Sequence, residues 1–243
     1  MAQNPRLKQY APLALITMEN KNQLTQILHS LKEEKYRSFV ASLIPTISPD
    51  SILGVRIPHL RKLAKGMSKE EISHFFSALP HTYLEENLLH SILLSCATNF
   101  ADTLKKIDQF LPYIDNWSVC DTLSPKVKKN EKNILFSYIE KWLKSEHTYT
   151  IRFGILMLMK HFLDDAYTPA TLEMVAGMIS CDYYVNMMAA WFFATALAVR
   201  YDEILPYIEE KRLTPMVHKK TIQKAVESFR LPQEHKAHLK TFR

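Results

Sequence analysis

Apolar residues recur at intervals of three and four along most of this chain, and this spacing constrains the fold more than any other feature. In the stretch 83–100, YLEENLLHSILLSCATNF, positions 84, 88, 89, 92, 93 and 96 fall on one helix face. We therefore expect Glu85 and Glu86 to lie outside that face. Only 4 glycines are present, too few for a fold built on tight β-hairpins. The sequence predicts an all-α protein.

Other stretches with the same spacing predict helices of about 10–18 residues joined by short turns. A capping box is expected at the start of one helix, because Ser68 precedes Glu71 by three positions. Helix pairs recur about every 35–40 residues, which is typical of HEAT-like arrays. We predict one domain over 1–243, an α-solenoid of HEAT-like pairs with a concave basic groove; a compact bundle is the alternative. The remaining predicted helices lie in 35–44, 57–66, 131–144, 149–163, 168–179, 183–201, 203–212 and 217–229.

The positive charge of the chain is concentrated near its C-terminal end. Residues 211–243 contain 9 Lys or Arg and 2 acidic residues, a balance of +7. The first 210 residues contain the other 22 basic and 23 acidic residues, a balance of −1, which together give the net charge of +6. Such a segment can attract polyanions, although a solvated helix face that keeps a protein soluble has the same composition.

Several classes of chemistry lack support in the sequence. The 3 cysteines are far apart, so they predict neither a disulfide framework nor a zinc knuckle. Phosphate-binding loops, dinucleotide fingerprints, zinc-protease motifs and nucleophile elbows are missing. The first residues, MAQNPRLKQYAPLALITMENKNQL, resemble neither a cleaved leader nor a membrane span. We expect a soluble, cytoplasmic monomer without metal or cofactor and without contact to a membrane.

The segment 115–121, DNWSVCD, places an indole and a carboxylate four positions apart. If Asp115 or Asn116 caps a helix that begins near Trp117, then Trp117 and Asp121 lie one turn apart on the same face. The two side chains could then act together at one site. The alternative is that Trp117 packs in the core and that Asp121 satisfies a backbone amide or an arginine.

Two more segments follow the same order as a known family. The order is GVRIPHLRKLAKG at 54–66, then DNWSVCD, then a helix opened by Arg152 and a helix centred on Trp191. This pattern resembles the bacterial DNA alkylation repair enzymes, the AlkD-like HEAT-repeat DNA glycosylases. The resemblance extends from about residue 34 to residue 230, and its most specific part is DNWxxxD.

The resemblance implies a solenoid that holds duplex DNA in its groove. Such enzymes cleave the N-glycosidic bond of N3- or N7-alkylated purines without drawing the lesion into a pocket. In this chain, the catalytic aspartate of the family matches Asp121. The two tryptophans that contact deoxyribose match Trp117 and Trp191, and an arginine that contacts the DNA backbone matches Arg152.

These residue types suit the chemistry. An alkylated purine is already cationic, so it leaves without a general acid, and the remaining sugar becomes oxocarbenium-like. A carboxylate with an ordinary pKa of about 3.9 is ionised at pH 7 and can stabilise that cation or orient the attacking water. Indole faces also attract cations, by about 0.5–2 kcal/mol each.

Two positions depart from the family pattern. Ser118 replaces a second acidic residue after the first tryptophan, and Ala194 replaces an arginine three positions after Trp191. These departures indicate a divergent branch. Two alternatives to a glycosylase therefore stay open: a non-catalytic protein of the same fold that binds branched or damaged DNA, and a helical scaffold for a protein partner.

Basic residues on several predicted helices are candidates for phosphate contact, with ordinary surface charge as the alternative for each of them. Arg152 is the strongest candidate, because it interrupts an otherwise apolar helix. Trp142 matches no family position and is predicted to pack in the core. The candidates for DNA binding are Arg56, Arg61, Lys65, Lys126, Lys128, Lys129, Arg152, Lys219 and Lys220.

Overall fold

The computed structural model describes residues 21–164 and 166–243, and within these ranges the secondary structure consists of helices without strands. The predicted all-α class with the helical-repeat character of an α-solenoid is confirmed. The prediction that the N-terminal segment is neither a cleaved leader nor a membrane span concerns mainly residues 1–20, which lie outside the described residues. The helices are α1 (Lys21–Ser30), α2 (Glu34–Leu43), α3 (Ile57–Gly66), α4 (Lys69–Ser77), α5 (Leu84–Cys96), α6 (Phe100–Phe110), α7 (Trp117–Thr122), α8 (Lys132–Leu143), α9 (Thr148–His161), α10 (Pro169–Ala176), α11 (Tyr183–Val199), α12 (Tyr201–Glu209), α13 (Pro215–Glu227) and α14 (Gln233–Lys240).

The chain forms two compact units, one up to Leu93 and one from Leu94 to Arg243. The single domain over 1–243 and its concave basic groove stay predictions. In the part of the chain that the structure describes, no helix is both long and apolar enough to cross a membrane.

Local signals in the sequence place several helix starts correctly. Ser68 caps α4 in the predicted capping box: its hydroxyl accepts from the Glu71 N–H at 3.2 Å, and its own N–H donates to the Glu71 carboxylate at 2.6 Å. Prolines occupy the first turns of α3, α10 and α13, where a missing N–H costs nothing. Trp142 is buried as predicted, and its indole N–H donates to Asp108 at 3.0 Å.

The prediction that Glu85 and Glu86 lie outside the apolar face of α5 is wrong, because both are buried. The Glu85 carboxylate accepts hydrogen bonds from the N–H groups of Leu53, Gly54 and Val55 at 3.0, 2.7 and 3.2 Å. Gly54 has a φ of 83°, so the turn it forms favours glycine. Glu85 therefore fixes this turn from inside the first unit, a role that helical periodicity cannot reveal.

Glu86 is buried for a similar reason at the start of α5. Its carboxylate accepts from the N–H groups of Thr82 and Tyr83 at 2.9 and 3.0 Å, and from the Thr25 hydroxyl at 3.3 Å. The first N–H groups of a helix lack partners within the helix, so a carboxylate that binds the segment before α5 stabilises this region.

We expect Glu85→Gln to lower the free energy of unfolding by about 2 kcal/mol, because the amide presents an N–H₂ group to backbone donors. Urea unfolding measures the change. Glu70→Gln, on the exposed first turn of α4, is the matched control and should change stability little. Equal stability of the two variants would contradict the role assigned to Glu85.

The second unit is built around three helices that pack side by side in the order α9, α11, α13. Helix α8 packs against α9, α12 against α11, and α14 against α13, while the short helix α7 packs against α9. Bulky apolar side chains fill the space between them; fully buried examples are Phe153 of α9 and Phe192 and Phe193 of α11. This packing fixes the position of α7 relative to α9.

Candidate functional site

The DNWSVCD segment forms the start of α7, as the sequence predicts. Asn116 is the capping residue, and its side-chain oxygen accepts from the Val119 N–H at 3.0 Å. Asp115 supports the cap, because its carboxylate accepts from the Asn116 amide at 2.8 Å. The helix begins at Trp117, so Trp117 and Asp121 lie one turn apart.

Asp121 forms a bidentate ion pair with Arg152 of α9. Arg152 Nε donates to Asp121 Oδ1 at 3.0 Å, and a terminal guanidinium nitrogen donates to Oδ2 at 2.7 Å. The side chain of Asp121 remains 20% exposed. Its oxygens can accept further hydrogen bonds, because an ionised carboxylate has about four acceptor positions. The pair therefore orients Asp121 without closing it off from solvent.

Arg152 is itself almost fully buried, with 6% of its surface exposed. A second terminal nitrogen donates to the Tyr184 carbonyl at 2.9 Å, which ties the guanidinium to the start of α11. Burial opposes the charge of Arg152, but the hydrogen bonds and the field of Asp121 leave its pKa raised. Arg152 is therefore a fixed cation that links α7, α9 and α11, and its contact with a DNA backbone stays a prediction.

Two lysines that the sequence analysis did not select interact electrostatically with Asp121. Lys160 of α9 donates to the Ser124 hydroxyl at 3.0 Å, and Lys224 lies on α13. Burial lowers the pKa of both lysines, and Asp121 opposes that shift in each case. Arg152 lowers the pKa of Lys224 further, which indicates that their charges repel. Asp121 thus lies among three cations contributed by two helices of the unit.

Sequence signals for these lysines are weak but present. Lys160 follows Arg152 by eight residues, about two turns of α9, and Lys224 follows Lys220 by one turn of α13. Neither spacing distinguishes a lysine at a site from one on a solvated face. The packing of the helices makes that distinction.

The buried thiol beside Asp121 is not a second reactive group. Cys120 is fully buried, and its Sγ contacts the Tyr149 carbonyl at 3.6 Å. Burial raises the pKa of Cys120, and the charge of Asp121 raises it further. A thiol that stays protonated is a poor nucleophile, so the chemistry of this region rests on the carboxylate.

The two tryptophans assigned to the site lie on different helices of the second unit. Trp117 is half-buried on α7, and Trp191 on α11 is 40% exposed. Trp191 lines a cleft together with Lys224, which interacts electrostatically with Asp121 and Arg152. Lys224 therefore lines the same cleft as Trp191 and also interacts with the charges of Asp121 and Arg152.

The other predicted DNA-binding residues are distributed over both units. In the first unit, Arg56 forms a bidentate ion pair with Glu33 and stacks over the Tyr36 ring at 4.5 Å. Arg61 and Lys65 are exposed on the same helix, α3. In the second unit, the segment after α7 exposes Lys126, Lys128 and Lys129, while α13 carries exposed Lys219 and half-buried Lys220. Their contacts with DNA stay predictions.

No metal centre is found among the described residues, because no group of three or more His, Cys, Asp or Glu side chains is arranged to hold an ion.

A family of known proteins matches most of the chain. The family described as DNA alkylation repair enzyme matches residues 21–227, which include α1 to α13 and every residue of the cluster around Asp121. No curated protein matches the chain closely enough to count as a relative. The family supports a function in DNA repair that involves interaction with DNA. The match extends over most of the chain, and the protein therefore belongs to the DNA alkylation repair enzyme family.

Proposed function

We propose that this protein is a DNA glycosylase that excises N3- or N7-alkylated purines from duplex DNA. The observation that carries the proposal is the Asp121 carboxylate, held in a bidentate pair by buried Arg152 yet still partly exposed to solvent. A fixed charge costs little reorganisation when positive charge develops on a substrate, and such preorganised groups contribute strongly to catalysis. The exposed indole of Trp191 offers a second surface for a sugar or a cation.

The reaction breaks the bond between C1′ of deoxyribose and the purine nitrogen. The bonding electrons go to the base, which loses its positive charge, and the sugar becomes an oxocarbenium-like cation. Asp121 stabilises this cation and orients a water molecule, whose oxygen bonds to C1′ while its proton leaves to solvent. The base needs no protonation, because alkylation has already made it cationic.

The ion pair with Arg152 weakens the field of Asp121 in the free protein, and the neighbouring lysines weaken it further. When DNA phosphates approach Lys160 and Lys224, they neutralise the positive charge of these lysines. That positive charge otherwise offsets the negative charge of the Asp121 carboxylate. In this proposal, duplex binding itself strengthens the action of Asp121 on the sugar. The lysines attract the duplex, and Arg152 orients the carboxylate.

The proposal predicts that the protein releases 7-methylguanine from methylated duplex DNA faster than spontaneous depurination. Protein in excess over DNA gives single-turnover conditions, and chromatography quantifies the free base. Unmethylated duplex is the control and should release no purine. Base release at only the spontaneous rate would rule out the glycosylase.

A second candidate function is a non-catalytic protein of the same fold that binds branched or damaged DNA. Each Asp121 oxygen accepts a hydrogen bond from Arg152, which favours this candidate, because an ion pair of this kind is also found where it has only a structural role. The positive balance of residues 211–243 fits either function. For this candidate, branched duplex binds more tightly than plain duplex, the affinity falls steeply with salt, and no base is released.

A further inference from the structure

The helix that carries Arg152, α9, is capped by a histidine, His147. The imidazole Nδ1 of His147 accepts a hydrogen bond from the Thr150 N–H at 3.3 Å and lies 2.9 Å from the Thr150 hydroxyl oxygen. The same N–H also donates to the His147 carbonyl at 3.1 Å, so the ring supplies part of the cap. An Nδ1 that accepts has no proton, so the capping imidazole is neutral and carries its proton on Nε2. The cap of α9 therefore depends on the protonation of one histidine.

The surroundings of the His147 ring favour its neutral form. The ring is half-buried, and the backbone N–H of His147 donates to the Ser145 hydroxyl at 3.1 Å. The charged and titratable groups around it are Asp115 before α7, Tyr149 of α9, whose ring centre lies 6.3 Å from that of the imidazole, and Asp182 before α11. Burial lowers the pKa of His147, and the charge of Asp115 opposes that shift.

The cap of α9 is linked to the caps of its two neighbours, α7 and α11. Asp115, whose charge acts on His147, accepts from the amide of Asn116, the cap of α7. Thr148, the first residue of α9, donates to Asp182, the cap of α11, at 2.9 Å. His147 therefore lies where the starts of three helices are joined.

The same three helices form the contact that orients Asp121. Asp121 lies on α7, Arg152 lies on α9, and the Tyr184 carbonyl that accepts from Arg152 lies on α11. All three residues are within the first five of their helices. The loss of a cap loosens the first turn of a helix, because the N–H groups there have no partner within the helix. A change at the start of α9 therefore reaches the ion pair.

We propose that His147 is a positioning residue for Asp121: its neutral imidazole caps α9 and keeps Arg152 aligned with the carboxylate, and a proton on Nδ1 releases the cap. The inference rests on the proposed function, in which Asp121 acts on the sugar. A protonated Nδ1 has no lone pair for the Thr150 N–H, and it places positive charge at a helix start, where the helix dipole repels it. Mild acid therefore loosens the ion pair and slows excision.

The stability of the folded protein should change with pH in the same direction. In the unfolded chain, His147 takes up its proton near the ordinary pKa of about 6.5, whereas in the folded protein it does so only at a lower pH. Between these two values the unfolded chain binds more protons, so acid favours unfolding. Above pH 6.5 the ring is neutral in both states, and the cap contributes in full.

His147→Asn tests the role of the imidazole, because asparagine also caps helices but takes up no proton. Nuclear magnetic resonance of isotope-labelled protein follows the Arg152 Nε–H group, which donates to Asp121, between about pH 7.5 and 5.5. In the wild type this signal should shift or broaden with the same midpoint as the titration of the His147 ring. In His147→Asn it should keep its position. His74→Asn, which replaces an exposed histidine of α4, is the matched control and should respond like the wild type.

Excision gives the second measurement, once the spontaneous release at each pH is subtracted. Between about pH 7.5 and 5.5, the single-turnover release of 7-methylguanine should slow at least threefold more in the wild type than in His147→Asn. His147→Ala has no capping group, so it should be slow even at the higher pH, and His147→Asn should restore the rate. Circular dichroism checks that each variant folds; if His147→Ala does not, the comparison with His147→Asn still decides the matter.

The positioning role and the glycosylase can fail separately, because the Arg152 signal is measured without DNA. If that signal follows the titration of His147 but no 7-methylguanine is released, His147 still positions the ion pair and the enzymatic proposal falls. If the signal is constant while His147 titrates, or if His147→Asn and the wild type have the same pH profile of excision, the role assigned to His147 is wrong.

Discussion

Asp121→Asn should lower the single-turnover rate of 7-methylguanine release by about a hundredfold, while the affinity for duplex DNA stays nearly the same. The amide keeps the shape of the side chain and one oxygen for Arg152 but removes the negative charge that stabilises the oxocarbenium-like sugar. Loss of one preorganised electrostatic group costs about 10²–10³ in rate. Affinity is set mainly by phosphate contacts, to which a carboxylate contributes nothing favourable.

Asp121→Asn affects both the stability of the protein and its excision rate, and the two effects must be measured separately. Asp121→Asn leaves the buried Arg152 charge with a weaker partner, so the variant should also unfold at a lower temperature. Rates are therefore compared per folded protein, below the melting transition. Asp202→Asn is the matched control, since Asp202 is exposed in the first turn of α12. Equal rates for wild type and Asp121→Asn would show that Asp121 is not catalytic.

Arg152→Met should lower both stability and excision. Methionine keeps much of the apolar length of the side chain but removes the hydrogen bonds to Asp121 and to the Tyr184 carbonyl. Removing one partner of a buried ion pair costs about 3–5 kcal/mol, and the partial exposure of Asp121 favours the lower end. Without its fixed orientation, Asp121 should support excision at least tenfold more slowly.

A double-mutant cycle distinguishes orientation of Asp121 from general destabilisation. The variant with both Asp121→Asn and Arg152→Met has no unpaired buried charge, so its loss of stability should be smaller than the sum of the two single losses. Its excision rate should match that of Asp121→Asn alone, because Arg152 acts through Asp121. Additive losses in stability together with additive losses in rate would contradict the positioning role of Arg152.

Local sequence signals predicted the elements of this protein well. The start of α7 at Trp117 and the Ser68 capping box both follow from patterns within a few neighbouring residues. The same reasoning failed for Glu85 and Glu86, because periodicity treats every carboxylate as a surface group. Their burial depends on backbone N–H groups, which for Glu85 lie about 30 positions away.

The sequence by itself determined the all-α class and brought Trp117 and Asp121 onto one turn, because helical spacing and capping act over three or four residues. Only the tertiary structure decided that Asp121 pairs with Arg152, 31 positions further along the chain, and that Lys224 interacts electrostatically with both. Those interactions arise where α7, α9, α11 and α13 pack together. Packing depends on the shapes of whole helix faces, and no short spacing in the sequence encodes them.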